Sequence, residues 1–491
     1  MPDFFGIGFK RFKALRKALA NSNFKRKLET QMTVGFIKCK RESLPAYVVT
    51  PENLNVLLNE LEVSSKNWAQ SNKFIGELGQ AIVCPDLNGK PKCALLGLGS
   101  AKSRTRERFA LASAASKLPE GKYFLKNDLS LENRDYELLG WLMLGYSFKR
   151  YRKKSNAGPG LIAPDWADVE KIEVMAKAEC LCCDLINTPA SDMSPIDLES
   201  SAKDLATTFG ANFSVIKGDD LLKNNFPMIH SVGRAAQTAP RLIELRYGSS
   251  GPKISIVGKG VCFDTGGLNM KPGSSMGLMK KDMGGAANVM ALAYMLMQCD
   301  RSYQLQILIP AVENSVSANS FRPQDILQSR KGLSVEINNT DAEGRLILAD
   351  ALTYAGEGDP DLIISMATLT GAARVAVGAD LAPFYAGSDM HAQKLMSAGI
   401  NTLDPLWQMP FWDPYEPLIE PSIADLDNAP KGGFAGSITA ALFLRRFVPL
   451  PSRYIHFDIY GWNPKKVPGR PQGGALQGPR AILKALKDIF E

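Results

Sequence analysis

Two glycine-dense stretches gather the residues best able to do chemistry: 257–287, VGKGVCFDTGGLNMKPGSSMGLMKKDMGGAA, and 338–350, NNTDAEGRLILAD. Each follows a short apolar run and offers Asp, Glu or Lys where a loop turns into a helix. Brought to one cleft, Asp264, Asp282, Asp341 and Glu343 would place up to four negative charges side by side. Carboxylates packed so closely cannot all stay ionised without counter-charge. Two divalent cations ~3.5–4 Å apart would neutralise them, the usual architecture of two-metal hydrolysis. Taken singly, each residue also has a structural reading. Asp282 could cap the helix that follows. Asp341 could serve a turn, and Glu343 with Arg345 could be a surface pair. Lys259 lies in a GKG turn that lacks the spacing of a phosphate loop.

The scarcity of histidine sharpens the choice. His230, His391 and His456 are the three in the chain, and no two have the spacing of a zinc-binding helix. Any metal centre must be built mainly from carboxylates. His456, between Ile455 and Phe457, reads as a strand residue rather than a ligand. The eight cysteines form no zinc-ribbon pairs and are too sparse for a disulfide scaffold. Cys180, Cys182 and Cys183 fall in a predicted helix, where reduced thiols act as small apolar residues. The chain reads as cytoplasmic and reduced.

The elements that must hold these residues follow from patterning. At 491 residues the chain calls for two domains. Short apolar runs at 81–84 and 94–98 predict strands, and 135–146 predicts a helix. The segment 153–164, KKSNAGPGLIAP, has linker composition, followed by one helix over 165–186. The resulting plan is an N-terminal α/β domain over 32–152, a linker and connecting helix over 153–186, and a catalytic domain over 187–491. In that last part strands at 254–258, 304–310, 335–337, 362–367 and 454–459 alternate with helices at 285–299, 346–354, 437–447 and 481–490. Alternation of this kind predicts an α/β fold, a central sheet flanked by helices, with ligands beyond the carboxyl ends of the strands. The apolar run at 283–299 falls short of the ~20 residues that span a bilayer and predicts a buried helix, so no membrane span is expected.

Net charge is +8, but residues 1–31 carry eight Lys or Arg against two acids, which leaves +2 on the remainder. The segment 1–31 reads as a basic leader, disordered, targeting, or upstream of a true start at Met32. A nucleic-acid-binding or scaffold role through this leader is the alternative to an enzyme. A nearly neutral body without interleaved aromatic and basic residues argues against it.

Read together, the two stretches resemble the signatures of the leucyl aminopeptidase (cytosol aminopeptidase) family, with NTDAEGR at 339–345 the most specific string. The resemblance covers at least 180–491 and implies hydrolysis of N-terminal residues from peptides with free amines. It implies two divalent ions, Zn or Mn with Co or Mg as alternatives. Lys259 and Asp282 would bind one ion and Asp341 the other, with Asp264 and Glu343 bridging. A lysine ligand must be neutral although its reference pKa is ~10.4, so activity should fall in acid as protons compete with metal. Lys271 matches the lysine that steadies the oxyanion, and Arg345 the arginine that holds bicarbonate for proton transfer. Met279 and the turn carrying Thr368, Leu369 and Gly371 match positions lining the substrate cleft. Tyr460 and Asn463 stand where leucine-preferring relatives often carry a small residue and a Met, which implies a larger, more polar wall. Family members assemble as hexamers, so a homohexamer is expected.

Overall fold

The computed structural model describes residues 34–129, 131–152, 158–299 and 301–491; the basic leader lies outside them. The chain folds into two domains of helices and sheets. The first sheet holds β1 (Ser43–Val49), β2 (Ala81–Pro85), β3 (Pro91–Gly97), β4 (Lys122–Leu125) and β5 (Gly160–Ile162), in the order β2-β3-β1-β4-β5. All pairs are parallel except the β2–β3 hairpin, whose arms are the strands expected at 81–84 and 94–98. Strand β5 falls inside the span that composition marks as linker. Its glycine and proline neighbours suit a linker equally well, yet an edge strand needs only one partner and buries Leu161 and Ile162 against β4. The first sheet therefore extends past residue 152.

The second sheet contains β6 (Asn212–Lys217), β7 (Arg241–Tyr247), β8 (Lys253–Gly258), β9 (Gly260–Asp264) and β10 (Gln304–Asn314). Two short strands, β11 (Ile326–Gln328) and β12 (Ser334–Glu336), pair outside it. The sheet is completed by β13 (Leu362–Ala367), β14 (Ala382–Ala386) and β15 (Leu406–Gln408), then by a strand after β16 (Leu426–Asp427), namely β17 (Tyr454–Asp458). Its order is β15-β14-β17-β13-β8-β10-β7-β6, with β9 also on β10. The centre, β17-β13-β8-β10, is parallel, while β14, β7 and β6 run antiparallel to their inner neighbours. Parallel strands covered on both faces read as continuous apolar runs, which is what β8 and β13 show.

Helices supply the cover. The helix Gly284–Gln298 is buried from Gly284 to Met297, and it is apolar all round because it lies between the sheet and the helix Val169–Asn187. The latter starts four residues later than the pattern predicts, because Asp168 caps it by accepting from Lys171 N at 3.1 Å. It also packs on the helix Arg134–Met143, so one apolar core runs from the first sheet to the second. On the other face of the large sheet, the helices Gly344–Glu357 and Gly436–Arg445 close a separate core around Leu346, Ile347 and Phe443. Cys180, Cys182 and Cys183 are buried in the connecting helix, and burial pushes their thiols up, as apolar packing requires. Among the described residues no helix is long and apolar enough to cross a membrane.

His456 lies in β17, fully buried, with Nδ1 2.8 Å from Ser365 Oγ and its ring stacked near Tyr385 and Tyr454. Burial pushes its pKa down to about 3. The unfolded chain takes up a proton near ~6.5, so this neutral ring contributes stability above that pH and loses it as pH falls toward the folded value. By pH 5 the loss is roughly 2 kcal/mol. His456→Phe should therefore flatten the decline of Tm between pH 6.5 and 5. Thermal melts of both proteins across that range check it, and equal slopes would refute the assignment.

Candidate active site

A break in one strand creates the centre. Between β8 and β9 the chain leaves the ladder at Lys259, whose N–H donates to Met366 O of β13 (3.0 Å) and whose carbonyl accepts from Ala286 N (2.9 Å). This jog turns the Lys259 side chain inward at the carboxyl ends of the parallel strands, where ligands of open α/β sheets bind. Asp264 ends β9, and Asp282 lies in the turn Met279–Met283 ahead of the helix Gly284–Gln298. Asp341 and Glu343 come from the loop before the helix Gly344–Glu357. Gly266 adopts φ +88°, and a Cβ there would stand 2.5 Å from Asn269 O and 3.1 Å from Asp341 Oδ1. Only glycine lets the two stretches approach this closely.

The six charged residues form one cluster, buried except at Lys271 and Asp341. Lys259 Nζ lies 2.8 Å from Asp282 Oδ2 and 3.0 Å from Glu343 Oε1, and donates to Thr368 O at 3.1 Å. Lys271 Nζ lies 2.8 Å from Asp264 Oδ2 and pairs with Asp341 Oδ1. Lys259, Asp264, Asp282 and Glu343 are each 3% exposed or less, so bulk solvent screens them little. Burial and the neighbouring Asp264 raise the Glu343 pKa; burial and Asp282 raise that of Asp264. For Lys259 burial alone would lower the pKa, but Asp282, Glu343 and Asp264 outweigh it and hold it above the ordinary ammonium value.

Two lysines do not satisfy four carboxylates. Both oxygens of Glu343, Asp282 Oδ2 and Asp341 Oδ1 are buried yet accept no aligned hydrogen bond, although lysine ammoniums stand at ion-pair distance from three of them. Asp264, Asp341 and Glu343 each offer a ligand oxygen within 4.8 Å of one another. Buried anionic oxygens with unused acceptor capacity fit divalent cations. Arg345, in the first turn of its helix, is 8% exposed, and its buried Nε and Nη1 have no hydrogen-bond partner, which leaves the guanidinium open to a small oxyanion.

Polar residues outside the two stretches hold the cluster in place, and sequence reasoning missed them. Asn314, at the end of β10, donates to Asp264 Oδ1 (2.8 Å) and to Thr340 O (3.1 Å). Asn428 Oδ1 accepts from Asn338 N and Asn339 N, and its amide donates to Asn339 O, clamping the loop ahead of Asp341. Asp458, at the end of β17, accepts from Leu369 N, Thr370 N, Thr370 Oγ1 and Ser437 Oγ. A polar residue closing an apolar strand was the one available signal. Of the expected cleft residues, Thr368 touches the cluster directly, donating to Asp282 Oδ1 at 2.8 Å. Leu369 and Gly371 follow on the loop that Asp458 holds, Met279 is half-buried in the turn before Asp282, and Tyr460 stands beside Thr368 through Gly461. Asn463 is not free to line the cleft by its amide, which is committed to Arg470 O (3.1 Å) and Pro471 O (2.9 Å). A short pairing of Trp462–Asn463 with Gly473–Gly474 imposes that direction.

Asp458 is a positioning residue with a measurable role. In Asp458→Asn the amide must face two hydroxyl donors, Thr370 Oγ1 and Ser437 Oγ, so the 368–371 loop and the helix Gly436–Arg445 each lose one anionic bond. Outer-shell partners of this kind matter by about 10–100-fold. We expect kcat/KM to fall about tenfold, mainly through KM. A change under twofold in steady-state kinetics would show that the loop is held by other contacts.

Fold and site together define an α/β protein with a buried, carboxylate-lined centre fit for divalent cations. The chain belongs to the cytosol aminopeptidase family. Residues 180–482 match the model of the cytosol aminopeptidase family, catalytic domain, and 44–164 that of the M17 aminopeptidase N-terminal domain. The cytosol aminopeptidase of Encephalitozoon cuniculi is 34% identical over 422 residues, covering 84% of this chain and 86% of its own. The crystal structure of cytosol aminopeptidase from Coxiella burnetii superimposes with TM-score 0.86 at 39% identity, covering 92% of this chain and 99% of that one. The bottromycin maturation enzyme BotP in complex with Mn gives 0.82 at 27% identity, with 92% and 100% covered.

Proposed function

We propose that this chain removes the N-terminal residue from peptides, with two divalent ions held by Lys259, Asp264, Asp282, Asp341 and Glu343. The observation that carries this reading is the cluster in which four buried carboxylate oxygens, of Asp282, Asp341 and Glu343, accept no aligned hydrogen bond. Mn or Zn is the expected metal, and a relative solved with Mn favours Mn. When bound, such ions supply Lewis acidity, water activation and a template for the substrate amine and carbonyl. The residues do the rest. Lys271, anchored between Asp264 and Asp341, places its ammonium where charge develops on the carbonyl oxygen. Arg345, whose Nε and Nη1 are unpartnered, would hold a bicarbonate, which would supply proton transfer to the leaving amine. The loop from Thr368 to Gly371, fixed by Asp458, orients the substrate backbone. A cytoplasmic homohexamer is the assembly and location we assign with this function.

The test is an assay of metal-stripped protein on aminoacyl-anilides near pH 8.5, with Mn, Zn, Co or Mg added back. Release from free N-termini, absent with N-acetylated substrate and before metal is restored, is the expected result. Folded protein inert with every metal would overturn it. Mass photometry of the same sample should report six copies.

A further inference from the structure

Two cations meet against one aromatic ring at the edge of the site, and no carboxylate pairs with either. Lys281 Nζ lies 4.8 Å from the centroid of the Tyr460 ring, and Arg374 Cζ also lies 4.8 Å from it. Lys281 is only 5% exposed. Among the described residues its ammonium has no hydrogen bond and no ion pair, and the guanidinium of Arg374 has none either. The neighbouring Lys280 shows the contrast: it donates to Asn187 O at 2.7 Å and so has a structural task.

The pair stands next to the carboxylate cluster. Lys281 directly precedes Asp282. Tyr460 leads into Gly461, where a Cβ would lie 3.1 Å from Thr368 Cγ2, and Thr368 donates to Asp282 Oδ1. A group held at Tyr460 is therefore about one side chain away from the centre. Asp282 is close enough to act on the Lys281 ammonium but forms no ion pair with it, and the ring face replaces only part of its hydration. A carboxylate arriving with the substrate would supply the ion-pair partner that these cations lack, by charge-assisted hydrogen bonds.

We propose that Lys281 and Arg374, braced on Tyr460, form a carboxylate-binding subsite that selects peptides whose first residue is Glu or Asp. This assignment rests on the aminopeptidase reading above. It also gives the larger, more polar wall at Tyr460 a purpose that a leucine pocket does not.

The experiment uses the full Mn-loaded chain at pH 7, with the anilides of Glu, Asp, Gln, Leu and Ala and the dipeptide Leu-Gly. We expect kcat/KM for the Glu or Asp anilide to exceed that for Gln and Leu by at least about tenfold. Lys281→Met and Arg374→Gln should each lower the Glu-to-Leu ratio by at least about tenfold. Because the ratio is the readout, a variant that merely loses metal or stability moves both substrates alike. Leu or Ala cleaved faster than Glu, or a ratio unchanged in both variants, overturns the subsite and leaves the aminopeptidase reading standing. Variants that slow Leu-Gly relative to the Leu anilide while sparing the Glu preference would assign the cations to the substrate's terminal carboxylate, and also overturn it. No release from any substrate overturns both readings.

Discussion

Glu343→Gln should lower kcat/KM by more than about 1,000-fold while leaving the chain folded. Outer-shell partners of a metal centre matter by about 10–100-fold, and the proposed role of Glu343 is an inner one: it is buried, neither oxygen accepts an aligned hydrogen bond, and Oε1 lies 3.0 Å from Lys259 Nζ. The isosteric amide keeps the volume but removes the negative charge and turns one acceptor into a donor. Without metal the same change relieves repulsion among Glu343, Asp264 and Asp282, the charges that, after burial, raise the Glu343 pKa. The chelated variant should thus melt within a few degrees of the chelated parent. The rise in Tm on adding Mn, a linkage effect that needs binding to the folded state, should be largely lost. Melts with and without metal, set beside steady-state kinetics, separate these effects. Retention of a tenth of the parent activity would remove Glu343 from the centre.

Gly285→Ala should damage the site by a single methyl. A Cβ at this position would lie 2.2 Å from Met366 O, 2.9 Å from Ala367 Cα and 2.9 Å from Lys259 N. All three are backbone atoms, so no side chain can swing aside. Met366 O is also the acceptor of the Lys259 N–H, so the methyl would pry apart the helix Gly284–Gln298, β13 and the strand break at once. Overpacking of this kind typically destabilises by about 1–3 kcal/mol. The larger consequence is catalytic, since a shift near 1 Å in a reacting group can lower the rate about 100-fold. We expect kcat/KM to fall by about that factor with a lowered Tm. Gly273→Ala is the control, because no atom lies within 4 Å of its Cβ position. Similar effects of the two substitutions would contradict close packing at Gly285.

Charge-bearing motifs and local periodicity were legible in the sequence because both are written within a few residues. The strands at 254–258, 362–367 and 454–459 appear as β8, β13 and β17 with ends shifted by a residue or less, since buried parallel strands are continuous apolar runs bounded by turn residues. The two stretches that hold Lys259, Asp264, Lys271, Asp282, Asp341 and Glu343 were visible as candidates for the same reason, and the structure gathers all six side chains in one cluster. Short edge strands such as β5 were not legible, because three residues carry no period.

By itself the sequence determined the residue types available for chemistry, the α/β alternation and the family. Only the tertiary structure decided which distant residues serve them. Asn314 and Asp458 look like ordinary strand-end polars until the order β17-β13-β8-β10 brings their ends together, and Asn428 is placed by the pairing of β16 with β12. The same holds for Lys281 and Arg374, 93 positions apart in the chain yet meeting on Tyr460. The physical reason is range. Turn chemistry and amphipathic period act over a few residues, whereas convergence depends on which strands pair, and pairing is settled by burial over the whole core.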